Sequence, residues 1–221
     1  MRVVVSAIAA LGLVALAPTG LFAQDMATIC SNMTDVEVGS WATYEVDAEG
    51  QQGTMRFALL PEGAAGGEGQ WFELSMNVNN QDMVLQLLVA SWPFAPDDVQ
   101  GVVIKQGGQP AMRLPDTMLG MMRGQMDLPI SGMSESCAAS SFLGMETVTV
   151  PAGTFEAYHI RPADQDMGEG DVWVSPDAPF GLLKGEGDDG SMTLIESGTG
   201  ATSMITETPQ DMPGMPGMGG P

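Results

Sequence analysis

Residues 146–184 read ETVTVPAGTFEAYHIRP (146–162), then ADQDMGEG (163–170), then DVWVSPDAPFGLLK (171–184). Val148, Val150, Phe155, Ile160, Val172, Val174, Phe180 and Leu182 are β-favouring or bulky apolar residues set in short alternating runs. PAGT at 151–154 separates the first two runs as a turn, because proline presets φ and glycine accepts a positive φ without steric cost. The polar stretch 164–171 makes a looser connection, and PDAP at 176–179 makes the next turn. Such close connections leave no room for crossover helices, so the stretch predicts an antiparallel meander.

The same rhythm continues on the N-terminal side. Residues 38–46, 54–60 and 71–78 alternate apolar and polar positions, the last through Phe72, Leu74, Met76 and Val78. Residues 83–89 are more continuously apolar, as expected of a strand buried on both faces. Asn79-Asn80 reads as a hairpin turn, GAAGGEG at 63–69 as a flexible loop, and 102–105 with 111–114 as a further hairpin. The pattern breaks at 115–126. Asp116 is placed to cap a short helix there, on which Met118, Leu119, Met122 and Met126 share one face. Gly120 and Gly124 each weaken that helix by ~1 kcal/mol relative to alanine. Residues 192–196 and 201–206 are expected as the last strands. PQDMPGMPGMGGP at 209–221 is of low complexity and is expected to be disordered.

The N-terminus has the form of a secretory leader: Arg2, an apolar run over 3–16, a Pro-Thr-Gly break, and a small residue, Ala23, before the expected cut. The run is shorter than the ~20 apolar residues of a spanning helix. The expected address is therefore periplasmic or secreted, with no membrane span once processed. Two cysteines, Cys30 and Cys137, are an even count in an exported chain and are expected to form a disulfide.

The chain of 221 residues carries 28 Asp and Glu against 7 Lys and Arg, a formal charge of −21. No basic patch is available for nucleic acid or an anionic membrane surface. Catalytic constellations are equally poorly supplied. His159 is the only histidine and falls mid-strand, and no GxSxG nucleophile elbow exists. Zinc needs three or four N or S ligands, more than one histidine and two paired cysteines provide. The loop 63–69 lacks the Lys-Ser/Thr of a phosphate-binding loop. The D-x-D of 164–166 resembles the start of a calcium loop, but Glu169 stands where that loop needs glycine and Ser175 where it needs its bidentate acid.

Methionine is the compositional oddity, with 19 in the chain. Met212, Met215 and Met218 are spaced as in thioether sites for Cu(I), a soft ion suited to soft sulfur. The Met-rich face at 115–126 has a different use, as an adaptable cover over an apolar ligand.

The phrases VTVPAGTFEAYHI and DVWVSPDAPFGLLK, with GSWATYEV at 39–46 as an opening strand, resemble exported bacterial proteins of the DUF3108 group. Through them the chain resembles the LolA/LolB and RseB lipoprotein-handling folds. That resemblance implies a curved, half-open antiparallel β-barrel partly plugged by helices. The expectation is thus a mainly β chain: a leader over 1–23, one curved-sheet domain over 24–208 with one short helix, and a tail over 209–221. The expected function is non-catalytic, without a cofactor. A lipid or other apolar ligand, or an envelope protein, is expected to bind a concave β face lined by Met118, Leu119, Met122, Met126, Phe72, Leu74 and Met76. The alternative is a Cu(I)-binding tail on a structural β domain.

Overall fold

The computed structural model describes residues 28, 30–31, 35–48, 50–123, 137–163, 170–188 and 190–212. The leader at 1–23, Met126, Met215, Met218 and most of the loop 163–170 lie outside them. The described chain is mainly β, folded as one open, curved sheet of twelve strands.

Two meanders build it. The first comprises β1 (Trp41–Ala48), β2 (Gln51–Leu60), β3 (Gln70–Val78), β4 (Gln81–Val89), β5 (Val99–Gln106) and the two-residue β6 (Met112–Arg113). The second is β7 (Ser141–Val150), β8 (Gly153–Arg161), β9 (Gly170–Val174), β10 (Leu182–Gly187) and β11 (Gly190–Gly198). Each strand pairs antiparallel with its sequence neighbour, and the meanders join where β1 pairs with β11. The β3–β4 turn confirms its local signal: Asn79 and Asn80 have φ of 53° and 61°, the left-handed pair whose twist matches a two-residue hairpin. At Gly190, a Cβ would lie 2.1 Å from the Asp47 carbonyl oxygen, so glycine lets β11 begin against β1.

Helical structure is slight. α1 (Asp116–Arg123) packs on β5, and a 3₁₀ turn spans Pro96–Asp98. Pro115 rather than Asp116 takes the capping place, since its carbonyl accepts from the Met118 and Leu119 amides; Asp116 instead puts its charge in the positive first turn. No helix of the described residues is long and apolar enough to cross a membrane.

The two faces of the first meander bury different clusters. The inner face carries Ala42, Tyr44, Phe57, Leu59, Phe72, Leu74, Leu87, Val89 and Val102. The outer face carries Ala58, Leu60, Trp71, Val84 and Val103. This is why β4 reads as continuously apolar: both of its faces are covered.

The outer cover corrects the expectation for 201–206, which is not a strand. Ala201 and Ile205 are buried against the outer cluster, while the intervening backbone bonds to side chains: the Met204 amide donates to Glu73 Oε2 at 3.0 Å. The segment is a strap lying across the sheet. It also passes the expected domain end at 208. β12 (Gln210–Asp211) pairs parallel with β6, and Met212 packs against the inner cluster, so the chain wraps round that edge of the sheet.

Cys30 and Cys137 are bonded as expected, with Cα atoms 5.8 Å apart. Both are buried with Ile160 and Val174, which ties the segment before β1 to the entry of β7.

Candidate functional site

The inner face is centred on aromatic rings brought together by strand register. Leu59 stands opposite Phe72 and Phe72 opposite Leu87, so Phe72 lies mid-row. Its ring stacks on Trp92 at 5.3 Å between centroids and meets Phe57 at 6.1 Å, Phe94 at 5.8 Å and Phe180 at 6.4 Å. Trp92 meets Phe180 edge-on at 5.5 Å. Offset and edge-on pairs of this kind contribute about 0.5–1.5 kcal/mol each beyond the area they bury.

What covers these rings is not a second sheet. Trp92 and Phe94 come from the connection between β4 and β5, Ala178 and Phe180 from the turn between β9 and β10, and Leu119 from α1. Phe180 has φ of 62°, a conformation that a bulky side chain adopts at a cost of order 1–3 kcal/mol. The turn enforces it: the Ser175 amide donates to the Gly181 carbonyl at 2.8 Å and the Gly181 amide to the Ala178 carbonyl at 2.9 Å. Trp92 is only half-buried, yet its Nε1 is enclosed with no hydrogen-bond partner among the described residues. Tyr44, beneath Phe57, donates to the Leu182 carbonyl at 3.2 Å, and burial pushes its phenol well above the ordinary range.

Of the expected site residues, Phe72, Leu74 and Leu119 are buried in this cluster, while Met76 is half-buried at its margin. Met118 is half-buried on α1. Met122 lies in α1 with its side chain outside the described residues, as Met126 is entirely. Trp92, Phe94 and Phe180 were missed as site residues. Their ring-to-ring contacts depend on turn geometry, and the one signal the sequence offered was the bulky apolar character of Phe180 beside the turn at 176–179. Met212 packs at the same cluster, whereas Met215 and Met218 are outside the described residues.

His159 belongs to a separate array. It stacks on Trp173 at 4.5 Å and 13°, and Lys184 Nζ stands 4.8 Å from the Trp173 ring centre. Its Nδ1 is 3.6 Å from Glu146 Oε1. Its Nε2 is 3.2 Å from Asp171 Oδ2, a contact of distance rather than hydrogen-bond alignment. Trp173 Nε1 donates to Glu146. Register explains the row, since Trp173 lies opposite both His159 and Lys184. The imidazole stands mid-strand in β8, as expected, between the Trp173 ring and the carboxylates of Glu146 and Asp171.

Asp171 is held below the usual carboxylate range, first by hydrogen bonding from Arg161 (Nε to Oδ1, 2.8 Å), with His159 adding to it and desolvation opposing. A carboxyl with a lowered folded value contributes stability above its unfolded pKa, and loses it as pH falls through the folded value. In an NMR titration Asp171 should ionise below the ordinary aspartate range. Arg161→Ala should move its midpoint up; an unmoved midpoint would show that the ion pair does not govern it.

An open cleft of about 390 Å³ lies where the β1–β2 and β10–β11 turns meet, lined by Asp47, Glu186, Asp188 and Ser191 among others. Asp47 is already engaged there by the Gly50 amide and Gln52 Nε2. Among the described residues no group of three or more His, Cys, Asp and Glu side chains could hold a metal ion.

No family model matches the chain and no curated protein matches it, so the DUF3108 relation is not shown. Among solved structures the chain is similar to MucB, at a TM-score of 0.41 and 11% identity over 81% of this chain and 60% of that one. It is similar to the MucA/MucB complex of Pseudomonas aeruginosa at 0.38 and 12%, over 82% of this chain and 58% of that one. It is also similar to an exported protein with YmcC-like fold from Bacteroides fragilis, at 0.31 and 12%, over 74% and 97%. The chain spans about 60% of the length of MucB.

Proposed function

We propose that this is a non-catalytic exported protein whose inner, concave β face receives an apolar ligand, such as a lipid, or an apolar segment of an envelope partner. The observation that carries the reading is the nature of the cover. A continuous aromatic surface is closed by two turns and one short helix rather than by a packed layer. One turn holds Phe180 in a strained backbone conformation, and the other leaves an enclosed Trp92 indole N–H without a partner among the described residues. An unsatisfied donor raises the energy of the closed form, and an entering ligand that displaces the β4–β5 connection returns that indole N–H to water. α1 is the easiest part to move, since it is short and has Gly120 on its exposed side.

Nile red, a neutral apolar fluorophore, should bind the protein with a blue-shifted emission. Met118→Asp, which puts a charge on the cover, should weaken binding about tenfold, ~1.4 kcal/mol, while leaving the thermal midpoint within a few degrees. If no Nile red or lipid binds at any accessible concentration, the inner face is a filled core and the protein a scaffold. The alternative ligand is Cu(I) on Met212, Met215 and Met218. Its one supporting feature is that β12 fixes the chain up to Asp211, next to Met212, although Met212 is drawn into the apolar cluster.

A further inference from the structure

The register of the first meander places three methionines side by side. Met55 of β2 stands opposite Met76 of β3, and Met76 opposite Met83 of β4. Directly opposed residues project to the same face of a sheet, with Cβ atoms about 4.5–5.5 Å apart, so three flexible thioethers share one row within mutual reach. All three are half-buried, open to an incoming ion but not freely solvated. We propose that Met55, Met76 and Met83 form a Cu(I) site at the margin of the inner face of the sheet, sharing Met76 with the border of the apolar face and distinct from the tail methionines.

Three observations support it. The adjoining row toward the core is Phe57, Leu74, Leu85 and Ile104, all branched or aromatic hydrocarbon, so the switch to thioether happens in one row at the open end of the face. Burial alone does not account for the row: Met55 and Met76 pack against the inner cluster, but among the described residues Met83 does not. The competing soft ligands are also withdrawn, because Cys30 and Cys137 are in a disulfide and His159 is committed to Trp173 on a distant strand.

The chemistry fits a soft monovalent ion. Thioethers are neutral, so they bind Cu(I) without the compensating anion that a thiolate brings, and the adjoining hydrocarbon row of Phe57, Leu74, Leu85 and Ile104 offers no oxygen side chain to a harder ion. Charge balance then comes from the field of the whole protein. Every Lys and Arg with a described side chain is ion-paired: Arg56, Lys105, Arg113, Arg161 and Lys184. The acidic surplus therefore stays uncompensated and attracts a cation.

The test uses the mature chain with Cu(I) kept reduced by ascorbate and measured against bicinchoninate. Wild type should withdraw one equivalent of Cu(I) from the chelator, equally at pH 5 and pH 7, since thioethers do not protonate in that range. Met55→Leu/Met76→Leu/Met83→Leu keeps volume and should leave the circular dichroism and thermal midpoint nearly unchanged while weakening Cu(I) at least tenfold. Removing residues 213–221 should leave the affinity intact. X-ray absorption of the loaded protein should show a shell of sulfur only. The proposal is overturned if wild type does not compete, if the triple-leucine variant competes equally, or if nitrogen or oxygen fills the shell. Loss of all binding on removing 213–221 would overturn it in favour of the tail.

Discussion

Replacing both Cys30 and Cys137 by alanine should cost the protein up to ~4.7 kcal/mol of unfolding free energy, on the chain-entropy account of a loop of about 100 residues. The bond closes a sequence separation of 107, and the closed segment holds the whole first meander together with α1. Without it the unfolded chain gains the freedom of that loop, and the native state keeps a small cavity between Ile160 and Val174. Against a net stability of about 5–15 kcal/mol for an ordinary domain, this is a large fraction. Urea unfolding should show a clearly lower midpoint and a steeper slope, since the freed chain exposes more surface on unfolding. A midpoint equal to wild type would mean that native strain cancels the entropic gain.

The second large effect is expected at Glu73, fully buried on the outer face. Its Oε1 pairs with Arg56 at 3.0 Å, and its Oε2 accepts from Gln86 Nε2 at 2.8 Å and from the Met204 amide. Gln86 in turn accepts from the Ala64 amide at 3.0 Å and donates to Ser203 Oγ at 2.6 Å. One carboxylate therefore fastens the 63–69 loop and the C-terminal strap to the sheet. Glu73→Ala leaves the Arg56 charge uncompensated and two donors without acceptors, which should cost about 3–5 kcal/mol. The double change Arg56→Met/Glu73→Leu removes both charges and should recover much of that loss, because an apolar pair leaves no orphaned ion. Hydrogen exchange at Ser203–Ile205 should quicken in the single variant. A loss below ~1 kcal/mol would show that the strap is held by Ala201 and Ile205 alone.

What the sequence by itself determined is the local architecture. The strands around 151–154 and 79–80 were legible because side-chain alternation and turn chemistry act over a few residues, and the Asn79-Asn80 hairpin needs no distant partner. The disulfide was legible from a leader-like N-terminus and an even cysteine count, and the mid-strand place of His159 from the alternation around it. Tertiary structure decided everything that depends on which strands become neighbours. Nothing near Trp41 or Gly198 announces that β1 closes on β11, because that pairing joins residues more than a hundred positions apart. Residues 201–206 have strand-like composition, but Ala201 and Ile205 are buried against the outer cluster and the Met204 amide bonds to Glu73, so they lie across the sheet rather than in a ladder. Phe180 receives its positive φ from a turn closed by Ser175 and Gly181, not from its own preference. The methionine row exists only through register: Met55, Met76 and Met83 are unremarkable in their own strands, and a slip of one residue in either hairpin would send them to opposite faces.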